Sequence, residues 1–126
     1  MKDHYQEHLV KGWIGVDFDG TLVKYDDWQG PEHVGESIYP MIHRVRSWLA
    51  EGRKVRIFTA RVYFPNDNAA HQRDAALSLL AIHKWCMEYF GIILPVTCVK
   101  DHNLLEFWDD RAVQIKINTG ERVDKQ

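Results

Sequence analysis

The stretch from Gly12 to Gly20 constrains the fold of this chain more than any other part of its sequence. A mostly apolar run, GWIGVDF, leads directly into an acid and a glycine. A short apolar run that stops at a polar turn is typical of a buried strand followed by a loop. The carboxylates of Asp17 and Asp19 come where that strand ends. Because side chains alternate along a strand, the two acids share one side and Phe18 points the other way.

Strand and helix patterns alternate along the rest of the chain. Hydrophobic spacing, helix stop signals and β-branched residues predict a helix at 40–51, a strand at 54–59, a helix at 66–90 and strands at 92–99, 104–108 and 113–117. Residues 22–38 are predicted as a loop with a small hairpin. This order predicts an α/β domain with a mostly parallel sheet. Right-handed crossovers then place helices on both faces, giving a three-layer, Rossmann-like architecture.

Length and composition set further bounds. At 126 residues the chain has the size of one domain, predicted as 1–126. The net charge of −2 excludes the class of proteins whose overall charge drives them onto nucleic acid or anionic lipid. No apolar run reaches a membrane span, and the first residues are too polar for a signal peptide. With only Cys86 and Cys98 there is no disulfide framework, so we expect a cytoplasmic protein.

Polar side chains follow the predicted strands at the edge where ligands bind in parallel α/β sheets. They are Asp17 and Asp19 after the first strand, Thr59 after the second, Lys100 after the third, and Asp109 with Asp110 after the fourth. Crowded carboxylates repel one another unless a divalent cation lies among them, and a small set of hard oxygen ligands suits Mg²⁺. Lys100 and the Thr59 hydroxyl add donors for an anion. Together these groups describe a phosphoryl-transfer site, in which one carboxylate is a possible nucleophile.

Each of these residues alone also has an ordinary structural explanation. An acid at a strand end commonly forms or caps a turn. Thr59 fits a strand, Lys100 fits a solvated loop, and the two acids at 109–110 fit a turn beside Arg111. The continuous stretch DFDGTL at 17–22 and the ordered set at successive strand ends favour the functional interpretation.

In this order the motifs resemble those of the haloacid dehalogenase superfamily of phosphatases. The stretch DFDGT at 17–21 resembles its first motif and IFTAR at 57–61 resembles its second. Lys100 resembles the third motif, and FWDD at 107–110 resembles the fourth. The resemblance runs from residue 12 to about 117 and implies a haloacid dehalogenase-like fold. An acid at the position of Asp19 is what the phosphatase branch requires, so phosphate chemistry is favoured over dehalogenation.

The resemblance also implies roles for the acids. Asp17 would attack phosphorus and become an aspartyl-phosphate. Asp19 would protonate the leaving oxygen and then deprotonate the hydrolytic water. Mg²⁺ would be held by the Asp17 side chain, the Asp19 backbone carbonyl and the acidic pair. Asp109 is the first choice for the direct ligand of that pair, while Asp110 binds directly or through water.

The remaining motif residues are implied to bind the substrate. Thr59 and nearby backbone N–H groups, including that of Ala60, would bind the transferring phosphoryl group. Lys100 would neutralise charge near the nucleophile. Arg61 directly follows the second motif, and two interpretations stay open for it. It contacts a second phosphate of the substrate, or it pairs with an acid from a loop.

The segments available for a cap domain are short. Residues 22–39 and 62–95 are too small to hold a separate core, so the resemblance predicts a capless member with an open site. An open site suits a bulky substrate such as a nucleic-acid end, or a phosphorylated small molecule if a homo-oligomer closes it. The predicted function is a Mg²⁺-dependent phosphomonoester hydrolase. A phosphate- or nucleotide-binding regulatory module with little turnover and an aspartyl phosphotransferase are the alternatives.

Two further features bear on the substrate. Arginine and lysine residues concentrate between 44 and 61 with only Glu51 opposing them, which fits either a polynucleotide-binding face or a solvated helix face. Four aromatic residues are predicted in loops near the motif ends, where they either stack on a base or pack on their own domain. They are Tyr25, Trp28, Tyr63 and Phe64.

Overall fold

The computed structural model describes residues 12–124, and its strands form one four-stranded sheet in which every pairing is parallel. The strands are β1 (Trp13–Val16), β2 (Lys54–Phe58), β3 (Val96–Thr97) and β4 (Leu104–Trp108), in the order β3-β2-β1-β4. Helix α1 (Tyr39–Ala50) connects β1 to β2, and helix α2 (Ala69–Phe90) connects β2 to β3. The prediction of an α/β domain with a parallel sheet is confirmed. The polar segment 1–11 lies outside the described residues.

The helix ends follow local chemistry. Pro40 lies in the first turn of α1, where its missing N–H leaves no hydrogen bond unmade. The side chain of Asn68 accepts a hydrogen bond from the His71 backbone N–H and caps the start of α2. Gly91 ends α2 in the left-handed region, with φ of 72°. Within residues 12–124, neither helix combines the length and the apolar character that crossing a membrane requires.

Both helices pack on the same face of the sheet. One buried cluster combines residues of α1 and α2 with alternate residues of β1 and β2, among them Ile42, Val45, Ile82, Ile14, Val16, Val55 and Ile57. The reason is topological, since β2 and β3 step in the same direction away from β1 and right-handed crossovers then leave both helices on one side. The expectation of helices on both faces is therefore met on one face only. Among residues 12–124 no helix packs on the other face.

A loop crosses that second face. Strand β4 lies on the far side of β1 from β3, so the connection between them runs back across the sheet. Asp101 in this connection accepts a hydrogen bond from Trp13 Nε1 at 2.8 Å and one from Arg56 Nη1 at 3.2 Å. Both donors alternate with the residues of the helix-side cluster and so belong to the opposite face. The connection 98–103 thus lies on the face of the sheet where a second layer of helices was expected.

Two predicted strands differ from the structure. The third strand is reduced to two residues, because Pro95 has no N–H for the ladder and only its carbonyl pairs, with Ile57 N at 2.9 Å. The strand predicted at 113–117 does not form, and its side chains are exposed with a single bridge from Ile115 to Arg122. The loop 22–38 agrees with its prediction, because it is hairpin-like and closed by a single antiparallel bridge from Val23 to Ser37.

Candidate functional site

Three acids meet at the carboxyl ends of β1 and β4. Because Val16 pairs with Trp108, the next residue on each strand, Asp17 and Asp109, leaves the sheet side by side. The Asp17 N–H extends the ladder by donating to the Trp108 carbonyl at 2.9 Å. Carboxylate oxygens of Asp17, Asp109 and Asp110 lie within 4.8 Å of one another. We call these three residues the acidic cluster.

The carboxylates of the acidic cluster have no ion-pair partner among residues 12–124. Burial raises the pKa of Asp17 to about 7, and the neighbouring carboxylates of Asp109 and Asp110 add to this rise against a lowering hydrogen bond from the Phe18 backbone. Of the ion pairs formed among residues 12–124, none includes a member of the cluster. Like charges this close favour either a retained proton or a bound cation.

The donor set of the cluster fits Mg²⁺, which prefers a few carboxylate oxygens and keeps several of its waters. Gly20 contributes by having no side chain. A Cβ at this position would lie 2.5 Å from Oδ2 of Asp110, and the φ of 87° is a conformation that glycine adopts without strain. The turn after β1 can therefore lie directly against the Asp110 carboxylate.

Asp19 lies in a different environment, which we call the Asp19–Arg61 pair. Its two carboxylate oxygens accept hydrogen bonds from Arg61 Nε at 2.7 Å and Arg61 Nη2 at 2.9 Å. Arg61 also donates to the carbonyls of Pro31 at 3.1 Å and His33 at 2.8 Å. Four of the five guanidinium N–H groups are thus engaged within the chain. Of the two interpretations open for Arg61, the structure supports pairing with a loop acid.

Thr59 and Ala60 lie beside the acids at the end of β2. Thr59 is buried, and its Oγ1 accepts a hydrogen bond from the Arg61 N–H at 3.2 Å, which caps the single 3₁₀ turn Ala60–Val62. A hydroxyl that accepts one hydrogen bond retains its own O–H as a donor. Both residues line the same cavity as Asp17, Asp19 and Asp110.

Lys100 is placed elsewhere. It is exposed, lies in the connection between β3 and β4, and is not among the residues that line this cavity. The reason is that β3 ends early at Thr97 and the chain then turns across the opposite face, where Asp101 is bound. The other predicted site residues line the cavity, except Asp109, which adjoins it as a member of the acidic cluster.

The cavity has a volume of about 610 Å³. Three of the loop aromatics line it, namely Tyr25, Trp28 and Tyr63, whereas Phe64 does not. Reasoning from the sequence missed Arg111 and the wall that α2 provides, with polar side chains from His71, Asp74 and Ser78. The signal available was their spacing, because positions i, i+3 and i+7 fall on one face of a helix.

The basic residues between 44 and 61 are mostly engaged within the domain. Arg46 donates twice to the Tyr89 carbonyl, at 3.0 and 2.7 Å. Arg53 pairs with Glu106 at 3.6 Å. Arg56 pairs with Asp101 and lies 4.6 Å from the centre of the Trp13 ring. This arrangement supports the structural interpretation of the basic cluster over a polynucleotide-binding face.

Comparison of the chain with known protein families, with curated proteins and with solved structures finds no match.

Proposed function

We propose that this chain is a Mg²⁺-dependent phosphomonoester hydrolase that works through an aspartyl-phosphate intermediate, with a capless, haloacid dehalogenase-like fold. The observation that carries the proposal is the position of Asp17. It is a half-buried carboxylate at the end of a parallel strand, within 4.8 Å of two further carboxylates and beside the Thr59 hydroxyl in one cavity. The all-parallel sheet of order β3-β2-β1-β4 supports the Rossmann-like part of the proposal.

Mg²⁺, held by Asp17, Asp109 and Asp110, would supply positive charge that offsets repulsion between the carboxylates and the phosphoryl oxygens. A carboxylate oxygen of Asp17 attacks phosphorus, and the ester P–O bond breaks. The leaving oxygen takes a proton from Asp19. Water then attacks the phosphorus of the aspartyl-phosphate, gives its proton to Asp19, and releases phosphate with Asp17 regenerated.

The proposed acid–base role of Asp19 depends on its hydrogen bonds to Arg61. Both of its oxygens accept hydrogen bonds from Arg61. Accepting a proton from water is compatible with this arrangement, because each carboxylate oxygen has a second lone pair. Donating a proton to the leaving group requires at least one of the two hydrogen bonds to loosen first.

The donors for the phosphoryl oxygens come from the end of β2. The free O–H of Thr59 and the backbone of Ala60 line the cavity beside Asp17. Arg111 also lines the cavity and carries positive charge there. With Lys100 outside the cavity lining, we assign charge neutralisation near the phosphate to Mg²⁺ and Arg111.

The test is phosphate release from a panel of sugar phosphates, nucleotides, a phosphopeptide and phosphorylated oligonucleotides, with Mg²⁺ and with EDTA. Wild type is compared with Asp17→Asn and with Asp67→Asn, an exposed acid outside the cavity lining that serves as the matched control. We expect release that requires Mg²⁺, falls at least ~10³-fold in Asp17→Asn and is unchanged in Asp67→Asn.

Retained turnover in Asp17→Asn would contradict the covalent mechanism. No release from any substrate would favour a binding module with little turnover. Phosphorylated products that form only with added alcohols or nucleosides would favour a phosphotransferase.

A further inference from the structure

The cavity is larger than a phosphoryl group needs. Its volume of about 610 Å³ lies in the range of small-molecule sites, roughly 300–1,000 Å³. Asp17, Thr59 and Asp110 are only three of the fourteen residues that line it. The remaining lining residues therefore indicate which chemical group the substrate carries on its phosphate.

Three exposed aromatic side chains, which we call the aromatic wall, line the cavity in addition to the acids. Tyr25, Trp28 and Tyr63 are 52%, 48% and 66% exposed, and all three line the cavity. Large exposed rings that converge on a concave site beside polar groups are typical of a binding surface for a flat, partly apolar ligand.

Trp28 is held in place by the Asp19–Arg61 pair. The Arg61 guanidinium lies 5.1 Å from the centre of the Trp28 ring, within range of a cation–π contact. Because Arg61 also binds the carbonyls of Pro31 and His33, it ties the loop that carries Trp28 to the site. The indole is thus an anchored ring next to the reacting acids, with about half of its surface open.

Helix α2 lines the same cavity with polar side chains. His71 and Asp74 are exposed polar residues on the face of α2 that lines the cavity. A carboxylate at Asp74 disfavours a second phosphate but accepts hydrogen bonds from hydroxyl or amino groups. The cavity therefore suits one phosphate, a hydroxylated spacer and a flat ring.

We propose that the substrate is a nucleoside monophosphate, with its phosphate at Asp17, its sugar beside α2 and its base on the aromatic wall around Trp28. This inference rests on the proposed function and names its substrate class. A single nucleotide is favoured over a polymer because Arg46, Arg53 and Arg56 are engaged within the domain.

The test compares adenosine and uridine 5′-monophosphates with ribose 5-phosphate, which has the same phosphoester and lacks the base. We expect wild type to show a kcat/KM at least tenfold higher for the better nucleotide than for ribose 5-phosphate. In Trp28→Ala this ratio should fall about 5- to 100-fold, the range expected for loss of one base–aromatic stack. Trp28→Phe should keep part of the ratio. Tyr39→Ala removes a similarly exposed ring outside the cavity and should keep all of it.

A second arm separates base recognition from catalysis. Calorimetry with Mg²⁺ present measures binding of the same compounds to Asp17→Asn and to wild type. Nucleotide binding at least tenfold tighter than ribose 5-phosphate binding supports the base site, whereas nucleotides that bind wild type but are not hydrolysed would overturn their assignment as substrates. If ribose 5-phosphate is hydrolysed as well as either nucleotide, the inference is overturned and the proposed function stands. If neither the nucleotides nor ribose 5-phosphate are hydrolysed and they bind alike, the inference is overturned, and the proposed function fails only if the wider substrate panel also releases no phosphate.

Discussion

Asp17 and Asp19 leave the same strand end two residues apart, and their surroundings differ in the sign of the nearest charge. Asp17 faces the carboxylates of Asp109 and Asp110, and its pKa is raised to about 7, mainly by burial. Asp19 has both oxygens bound by the guanidinium of Arg61. One acid lacks a counter-charge among its described partners, while the other has its counter-charge built into the chain.

The difference shows which part of the site depends on a bound ion and which part is balanced by the chain itself. The acidic cluster gains by binding a cation, because its carboxylates repel one another while they are ionised. The Asp19–Arg61 pair is already complete, and it also positions the loop with Trp28. Removing Mg²⁺ should therefore affect the acidic cluster. Among amino-acid substitutions, those that break the Asp19–Arg61 pair should have the largest effect.

The largest expected effect comes from breaking the pair. In Arg61→Ala the carboxylate of Asp19 loses its partner, and the carbonyls of Pro31 and His33 lose their donor. The side chains are only 5% and 20% exposed, so water replaces these contacts poorly. We expect the free energy of unfolding to fall by about 3–5 kcal/mol, measured by urea denaturation without Mg²⁺.

Arg73→Ala is the control for Arg61→Ala, since Arg73 is an exposed arginine of α2 outside the cavity lining. The double variant Asp19→Asn with Arg61→Ala should lose less than the sum of the two single variants, because neither charge is left unpaired. A loss below ~1 kcal/mol in Arg61→Ala would show that the pair behaves like a surface salt bridge.

The second prediction concerns Mg²⁺ and pH at the acidic cluster. Asp17 has a folded-state pKa raised from 3.8 to about 7, so the protonated acid is stabilised in the metal-free fold. Its contribution to stability is therefore present at low pH and is lost as pH rises through about 7. Mg²⁺ needs the ionised carboxylate, so its affinity should rise by up to about tenfold per pH unit towards pH 7 and level off above it.

Calorimetric Mg²⁺ titrations from about pH 5.5 to 8 measure this slope. Asp17→Asn removes the titrating group and should flatten the profile. A wild-type affinity that does not change across the range would show that Asp17 does not release its proton on metal binding.

Much of the fold was predictable because it depends on local pattern. The strand at 104–108 has the same bounds in the structure, and both helices begin and end within three residues of the prediction. That both helices of residues 12–124 lie on one face was not predictable, because it depends on the order of β3 in the sheet rather than on any local signal. The acids of the cluster were predictable because the carboxyl ends of parallel strands meet at one edge of a sheet, and in the structure β1 pairs directly with β4.

The remaining parts of the site depend on contacts between distant segments. The partner of Arg61 was left open because the pair also depends on the path of the loop with Pro31 and His33. Lys100 was expected in the site, but its connection crosses the opposite face towards Trp13. His71 and Asp74 were missed because their role follows from how α2 sits over the strand ends.

The smallest predicted effect comes from a substitution in the turn that joins Asp17 to the hairpin-like loop. This substitution changes the acidic cluster. Gly20→Ala would place a Cβ 2.5 Å from Oδ2 of Asp110, at a φ of 87°. Gly30→Ala is the matched control, because its φ is 100° and nothing lies within 4 Å of its added Cβ. The backbone cost of about 1–2 kcal/mol in the free energy of unfolding should be shared by both variants.

The two glycine variants should differ in Mg²⁺ affinity. Asp110 is exposed, so its carboxylate can swing away from the new methyl group at little cost in stability. That movement takes a ligand out of the acidic cluster, and Gly20→Ala should therefore bind Mg²⁺ about tenfold more weakly than Gly30→Ala. Equal affinities, measured by calorimetry at pH 8, would show that the position of Asp110 does not matter for the metal. The metal would then depend on Asp17 and Asp109, the two acids that leave β1 and β4 side by side.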